Sequence, residues 1–274
     1  MNIAKTIKEE YFLITRYIRI VIKIWFQYKV DAVLRSFAVF LRESTGIIVI
    51  FFTFQKFTNI NGWNLNEMLF LFSFIFLSYG ILILLFTGLR DFEHLIHTGE
   101  FDRFMLRPRG LLFQVILWDA DYFAAIGHGT LGILLFIITA SKVGITWNFM
   151  NVLYCISTII GGVLIQGAIF LILACISFYS IKNRSVKELF YYNGRKLAQY
   201  PISIYPKIIQ SFLIYVVPFA FVNYFPTQYF LQKQDLDSYW RGLMYLTPTI
   251  GIGLFLISYL FWNYSIKRYS STGN

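Results

Sequence analysis

The sequence predicts an all-α integral membrane protein with six transmembrane helices, and three observations carry this prediction. Of the 274 residues, 57% are hydrophobic and only 14% are charged, with a mean hydropathy of +0.61. A water-soluble domain of this size carries about 25% charged residues. The apolar residues form runs of about twenty, which is the length that crosses a bilayer, and the basic residues collect between these runs.

Six apolar runs predict six spans within a single transmembrane domain, residues 1–274. Each span needs about twenty residues to cross the hydrocarbon core. The fourth run is long enough to tilt or to extend beyond the bilayer, whereas the fifth is short and contains Pro218, whose ring interrupts a helix. The predicted spans are Ser36–Phe57, Met68–Leu89, Ala120–Ala140, Phe149–Ile181, Ile208–Phe225 and Leu243–Tyr264.

Residues 5–28 predict an N-terminal amphipathic helix that lies in the membrane interface and does not cross the bilayer. At about 100° per residue, the apolar side chains project onto one face and the basic side chains onto the opposite face. Such a helix turns its basic face toward anionic lipid head groups. The candidate interfacial residues are Arg16, Arg19 and Lys23 on the basic face and Trp25 on the apolar face.

The distribution of Lys and Arg predicts that both chain termini are cytoplasmic. Nineteen of the 24 basic residues fall in the terminal stretches and in the loops after the second and fourth spans, and four fall on the other side. Basic residues favour cytoplasmic loops, so this asymmetry requires an even number of spans. The loop after the fourth span, Lys182–Lys207, belongs to the cytoplasmic set. The tryptophans agree with the predicted span ends, where Trp is favoured: Trp25, Trp63, Trp118, Trp147, Trp240 and Trp262.

Three polar residues inside predicted spans are candidates for a transport path or for helix packing. Arg42 and Glu43 lie in the first span, where charges are costly and often functional. They also lie about 7 Å from its cytoplasmic end at 1.5 Å per residue, so snorkelling or mutual pairing is favoured over contact with a partner subunit. Gln166 lies centrally in the fourth span, and a hydrogen bond between helices is favoured over contact with a substrate. Gly251 and Gly253 indicate close helix packing.

The 89–118 loop after the second span predicts an element that docks on a soluble partner. It mixes both signs of charge with aromatic side chains that we expect to be exposed, and aromatic and arginine side chains dominate contacts between proteins. We expect Phe101, Phe104 and Leu106 to supply the apolar contacts. Pro108 would end the helix, because its ring cannot continue the hydrogen-bond ladder. The charged residues that would fix the register through charge pairs are Glu100, Asp102, Arg103 and Arg107.

Several function classes are disfavoured by the sequence. It contains no G-x-x-x-x-G-K-[ST] motif, so this chain is not expected to bind or hydrolyse ATP. The basic residues are spread between apolar runs and form no single patch for nucleic acid. His94 and His97 have the spacing of two metal ligands, but we interpret them as part of a solvated helix face and expect no metal site.

Three segments resemble the permease subunits of bacterial type-2 ATP-binding-cassette exporters, in particular a six-span subfamily of largely unassigned substrate. The resemblance extends over nearly the whole chain, and the first segment is the most specific. The segments are Gly99–Pro108 followed by Leu112-Phe113-Gln114, then Tyr200–Pro206, and Val217–Pro226.

The resemblance implies an exporter in the bacterial cell membrane that is driven by a separate ATPase. Two copies of that ATPase subunit would hold ATP and Mg, while this chain would bind no cofactor. The 89–118 loop would couple to the ATPase, and a second permease chain, identical or related, would complete the path. A short re-entrant or extracellular helical element is implied at Pro226–Tyr239.

Two other function classes remain open at this point. A secondary transporter driven by an ion gradient should show internal repeats and buried ionisable residues near the bilayer midplane, and neither is clear in the sequence. An intramembrane enzyme would need paired carboxylates, a His/Asp cluster or a Ser/Lys pair within its spans, and none is evident.

Overall fold

The computed structural model is about 80% helical and describes residues 15–16, 19–20, 23, 26–118, 121–180, 184–233, 235–236 and 239–269. The helices, in chain order, are α1 (Lys29–Lys56), α2 (Leu65–Arg90), α3 (Phe92–His97), α4 (Glu100–Met105), α5 (Leu111–Leu117), α6 (Tyr122–Lys142), α7 (Phe149–Ile176), α8 (Arg184–Lys187), α9 (Asn193–Leu197), α10 (Lys207–Ser211), α11 (Tyr224–Leu231) and α12 (Thr247–Ile266). Two π-helical turns, Glu188–Tyr192 and Phe212–Val216, and three 3-10 turns, Ile202–Ile204, Phe219–Phe221 and Arg241–Tyr245, lie between them.

Five helices among the described residues are long and apolar enough to cross a membrane: α1, α2 with its continuation α3, α6, α7 and α12. Helix α1 begins at Lys29, earlier than the predicted start at Ser36, because its first two turns carry apolar residues between the charged ones. Helix α7 ends at Ile176, earlier than the predicted Ile181. Helix α2 begins with a capping box, in which Asn64 and Glu67 exchange backbone and side-chain hydrogen bonds.

Helix α2 lies at the centre of the bundle. It packs against α6 and α7, α7 also packs against α12, and α1 packs mainly against α6. About 72% of the residues in the apolar stretches of α2 and of α7 are buried, compared with 11% for α1 and 22% for α12. Helices α1 and α12 therefore carry wide apolar faces that the other described residues do not cover.

The bundle has two ends, which we name by the residues at the two ends of α2. The Arg90 end carries α3, α4 and α5, and the Trp63 end carries the connection between α1 and α2. Lys187 donates a hydrogen bond to the backbone oxygen of Arg90 at 2.5 Å. Sixteen residues later, the backbone oxygen of Ser203 accepts from Asn61 at 3.3 Å. The 184–204 segment therefore runs along the bundle from the Arg90 end to the Trp63 end.

This course of the 184–204 segment contradicts the prediction of a cytoplasmic loop at Lys182–Lys207. Its middle lies inside the bundle, where the Tyr191 side chain is fully buried and the ring of Phe219 lies 5.5 Å away. Farther along, the side chain of Asn223 donates to the backbone oxygen of Ala198 at 2.5 Å. The segment was mistaken for a loop because its basic residues interrupt the apolar pattern. One π-helical turn and one 3-10 turn also break its helix into short pieces.

The predicted fifth span, Ile208–Phe225, is wrong as a continuous helix. The helical stretches Lys207–Val216 and Phe219–Leu231 meet at 78°, because Pro218 removes a backbone donor at the bend. The ring of Phe212 lies 6.3 Å from that of Phe190, well inside the bundle. The chain then returns, and the ring of Tyr224 lies 5.9 Å from that of Trp63. Residues 207–231 thus form a hairpin that enters and leaves at the Trp63 end.

Asp235 holds the Trp63 end together. Its carboxylate accepts hydrogen bonds from the indole of Trp63 at 2.6 Å and from the hydroxyl of Ser203 at 2.5 Å. It also accepts from the side chains of Tyr224 and Gln228. One carboxylate therefore joins the α1–α2 connection, the 184–204 segment and the second arm of the hairpin.

Candidate functional site

The 89–118 loop folds into three short helices against the Arg90 end of the bundle. Gly99 connects α3 to α4 with a φ of 69°, a left-handed conformation that glycine adopts without steric cost. The loop then turns at Pro108 and continues into α5, which packs against α2. The side chain of Gln114 closes the turn by donating to the backbone oxygens of Phe104 at 3.2 Å and Arg109 at 3.1 Å.

The expectation that Phe101 and Phe104 are exposed is wrong. Phe101 is fully buried and Phe104 is nearly so. The ring of Phe101 packs at centroid distances of 5.1–6.5 Å against four aromatic rings from α3, the end of α7 and α12: Phe92, Phe178, Trp262 and Tyr269. Burying a phenylalanine stabilises a fold by about 1.5–3 kcal/mol, so the aromatic face of α4 turns toward the bundle.

The tip of this loop, residues 103–108, is exposed apart from the ring of Phe104. Leu106 is the most exposed of its apolar residues, at 86%, and Met105 is about half exposed. Arg103, Arg107 and Pro108 are exposed as well, and the guanidinium of Arg107 lies 5.0 Å from the centre of the Phe104 ring. The tip therefore combines two cations with an apolar side chain that no other described residue covers.

Asp102 connects the loop to the C-terminal part of the chain. The hydroxyl of Tyr269 donates a hydrogen bond to its carboxylate at 3.0 Å. Burial and the Asp102 carboxylate raise the pKa of Tyr269 to about 12, so the hydroxyl stays protonated and remains a donor at physiological pH. Glu100, two residues earlier on α4, is half-buried.

A groove of about 740 Å³ opens beside this loop at the Arg90 end. Its two walls belong to α3 and to the first half of the 184–204 segment. Acidic and basic residues face each other across it, with Lys187 at 3.9 Å from Glu93. Residues of both walls include Asp91, Glu93, His94, Lys187, Glu188 and Lys196.

Gln166 joins three parts of the bundle through buried hydrogen bonds. Its amide nitrogen donates to the hydroxyl of Ser78 on α2 at 2.9 Å. Its amide oxygen accepts from the hydroxyl of Tyr191 in the 184–204 segment at 3.0 Å. The structure thus uses Gln166 for contacts between helices, and the partner Tyr191 was missed because its segment was assigned to a loop.

Arg42 and Glu43 form an ion pair near the middle of α1. Arg42 donates through two nitrogens to one carboxylate oxygen of Glu43, at 3.0 and 3.1 Å. Helix α1 extends thirteen residues before Arg42 and fourteen after it, so the pair lies near the middle of this helix, and its distance from the cytoplasmic membrane surface stays a prediction. The other carboxylate oxygen of Glu43 lies 3.5 Å from a guanidinium nitrogen of Arg195. Arg195 in turn lies 3.7 Å from the centre of the Tyr79 ring.

A comparison with protein families decides the identity of the chain. Residues 40–273 match the sequence model of a family described as ABC-2 family transporter protein. The chain belongs to this ABC-2 family. No curated protein and no solved structure shows significant similarity to it. The match begins within α1 and includes the 89–118 loop, the 184–204 segment and the hairpin.

Family membership makes this ABC-2 protein the multi-pass membrane permease of an ABC transporter. An ABC permease associates in general with an ABC ATPase. The N-terminal region lies before the matched residues. Arg16, Arg19 and Lys23 are helical and exposed, whereas Trp25 lies outside the described residues, and the interfacial position of this helix stays a prediction.

Proposed function

We propose that the chain is the permease subunit of an ATP-driven exporter and is moved by a separate ATPase that docks on the 89–118 loop. The observation that carries the proposal is the division of α4 into two sides. One side presents Arg103, Leu106 and Arg107 to solvent, and the other packs Phe101 against the bundle. Such an element can receive a force outside the bundle and deliver it inside.

The contacts of α4 suggest a route for that force. The ring of Phe101 touches Trp262 on α12 and Phe178 just after α7, and Asp102 is held by Tyr269. Because a packed core deforms little, a push on the tip would move the ends of α7 and α12 together. This motion is the rigid rocking of helices by which transporters alternate between states.

The partners follow from the same proposal. Two ATPase subunits would hold ATP and Mg, since this sequence has no phosphate-binding loop of its own. A second permease chain, identical or related, would cover part of the apolar faces of α1 and α12, and membrane lipids would cover the remainder. We propose no nucleic-acid partner and no cofactor bound by this chain.

Membership of the ABC-2 family supports the ATP-driven alternative. A secondary transporter driven by an ion gradient would need ionisable groups near the bilayer midplane, and Glu43 and Arg195 do lie near mid-height of the bundle. The structure therefore meets this requirement of a secondary transporter and does not exclude that alternative. The match over residues 40–273 favours the ATP-driven class instead.

Purification of the chain from its native membrane tests the proposed function directly. We expect an ATPase subunit to accompany it in a mild detergent, and we expect ATP hydrolysis in the purified fraction. A variant carrying Arg241→Ala, which changes an exposed arginine near the Trp63 end, should retain the ATPase. Recovery of the intact permease without any nucleotide-hydrolysing subunit, under conditions that keep other ABC complexes together, would contradict the proposal.

We further propose that the Arg90 end and both termini face the cytoplasm of a bacterial cell, as the charge asymmetry indicates. This orientation puts Lys207 outside, since it follows Ser203 at the Trp63 end. Single cysteines at positions 207 and 103, in a chain lacking Cys155 and Cys175, distinguish the two sides. We expect an impermeant thiol reagent to label position 207 in intact cells and position 103 only after lysis. The reverse pattern would show that the orientation is the opposite one. Labelling of neither residue in intact cells would show that Lys207 lies on the cytoplasmic side.

A further inference from the structure

Polar residues recur along one side of α1, where the apolar residues Ala38 and Val49 interrupt them. At about 100° per residue, the members of this interrupted row project within about 80° of one another. Most of them are exposed on this chain, and the side chain of Arg42 at the centre of the row is 67% exposed. The members of this row, which we call the α1 polar row, are Asp31, Arg35, Arg42, Thr45, Thr53 and Lys56.

The α1 polar row is poorly suited to contact with lipid tails. An arginine at the centre of a membrane-spanning helix costs about 2.5–3.5 kcal/mol on insertion scales. Arg42 lies at mid-height of the bundle. Arg195, which shares the carboxylate of Glu43 with it, packs on the rings of Phe76 and Tyr79 in the middle of α2. Only long side chains close to a helix end reach the interface by snorkelling. The row is therefore best accommodated beside water or another polar surface within the membrane.

The charges around Arg42 do not balance. Arg35 is paired with Asp121 at 2.9 Å, so its charge is balanced. At mid-height, by contrast, Arg42 and Arg195 share the single carboxylate of Glu43. Arg195 is only 8% exposed, and its Nε has no hydrogen-bond partner among the described residues. A buried positive charge without a full counter-charge calls for an anion.

We propose that Arg42 and Arg195 bind the acidic group of a transported amphiphile, and that the α1 polar row lines the path this molecule follows. The inference rests on the proposed function as a permease and adds the chemical class of the substrate. A phosphate or carboxylate pairs with the unused guanidinium nitrogens. The apolar part of the molecule lies along the exposed apolar row next to the polar one: Leu34, Leu41, Ile48 and Phe52.

Binding of dodecyl phosphate to the purified full-length chain tests this assignment. In a neutral maltoside detergent we expect saturable binding, about tenfold weaker in Arg42→Gln, because the variant loses a charge-assisted hydrogen bond to the acidic group. Arg42→Lys should retain most of the affinity, and Glu43→Gln should raise it by removing the competing carboxylate. Arg241→Gln, an exposed arginine near the Trp63 end, is the matched control and should leave the affinity unchanged.

The remaining arms of the experiment identify which part of the proposal fails. Dodecyltrimethylammonium should not compete, and competition by this cation at equal concentration would overturn the selectivity for anions. Inorganic phosphate should bind far more weakly, and equal affinity would remove the apolar part of the substrate class. Equal loss of affinity in the Arg42→Gln and Arg241→Gln variants would show that binding is non-specific and overturn the site.

Water access gives a second and independent test. In the chain lacking Cys155 and Cys175, a cysteine at Thr45 in the polar row should react with a charged thiol reagent at least tenfold faster than one at Leu41 in the apolar row. Equal rates would contradict the water-lined path. If an ATPase co-purifies with the chain while both tests fail, only the substrate class is overturned and the permease function stands.

Discussion

Replacing Gly251 with leucine is expected to destabilise the bundle more than any other single change on the surface between α7 and α12. A Cβ atom at Gly251 would lie 2.6 Å from the backbone oxygen of Gly161, which is closer than such atoms approach in folded proteins. The other nearest atoms, Cα and C of Gly161, also belong to the backbone, so the helices would have to separate. Overpacking costs about 1–3 kcal/mol and occasionally more, and we expect the upper end here. Thermal unfolding in detergent, followed by tryptophan fluorescence, measures the loss.

Gly253, two residues later on the same helix, provides the matched control. A Cβ at this position would meet no atom within 4 Å among the described residues. The Gly253→Leu variant therefore has the same composition as Gly251→Leu but none of its steric conflict, and its unfolding midpoint should stay close to that of the original chain. Equal destabilisation by both substitutions would show that α7 and α12 do not pack through Gly161 and Gly251.

The long apolar runs made most of the bundle predictable from the sequence. Helices α1, α2, α6, α7 and α12 all overlap predicted spans, because only runs of this length can satisfy their backbone within a bilayer. The hairpin and the 184–204 segment could not be found in this way. The latter carries Arg195 and Lys196, and these charges made it resemble a loop. In the structure, Glu43 pairs with Arg195 and Tyr79 covers its guanidinium, but the partners come from distant parts of the sequence.

Exposure of individual aromatic residues was also beyond the reach of sequence patterns. Phe101 and Phe104 lie in a segment rich in charge, yet four aromatic rings cover Phe101, and three of them come from distant parts of the sequence. Trp63 and Trp262 lie near span ends, as predicted, but both are buried by other parts of the chain and do not face the headgroups. A periodic pattern identifies the face that is apolar. It does not reveal whether lipid, a partner or the same chain covers that face.

The buried position of Phe101 changes how the docking of the ATPase should be tested. Substitution of Asp102 would remove the acceptor of Tyr269 and would therefore alter the permease itself. Arg103 and Leu106 are exposed, so replacing both with alanine should leave the unfolding midpoint unchanged. A buried contact residue at the centre of an interface contributes about 2 kcal/mol or more. We therefore expect the double variant to bind the ATPase at least about tenfold more weakly, with transport reduced in proportion.

The Phe101→Ala variant distinguishes the role of the bundle-facing side of α4 from that of its solvent-facing tip. This substitution leaves the solvent-facing tip intact but removes a ring from the aromatic cluster, which should cost about 3–5 kcal/mol of stability. We expect the Arg103→Ala/Leu106→Ala variant to lose ATPase binding at full stability, and Phe101→Ala to lose stability first. Measured together, ATPase co-purification and the unfolding midpoint distinguish the two variants. Wild-type binding and transport by the double variant would exclude the tip as the docking surface. The groove between α3 and the 184–204 segment would then become the surface to examine, since it lies at the same end and carries the exposed charges of Glu188 and Lys196.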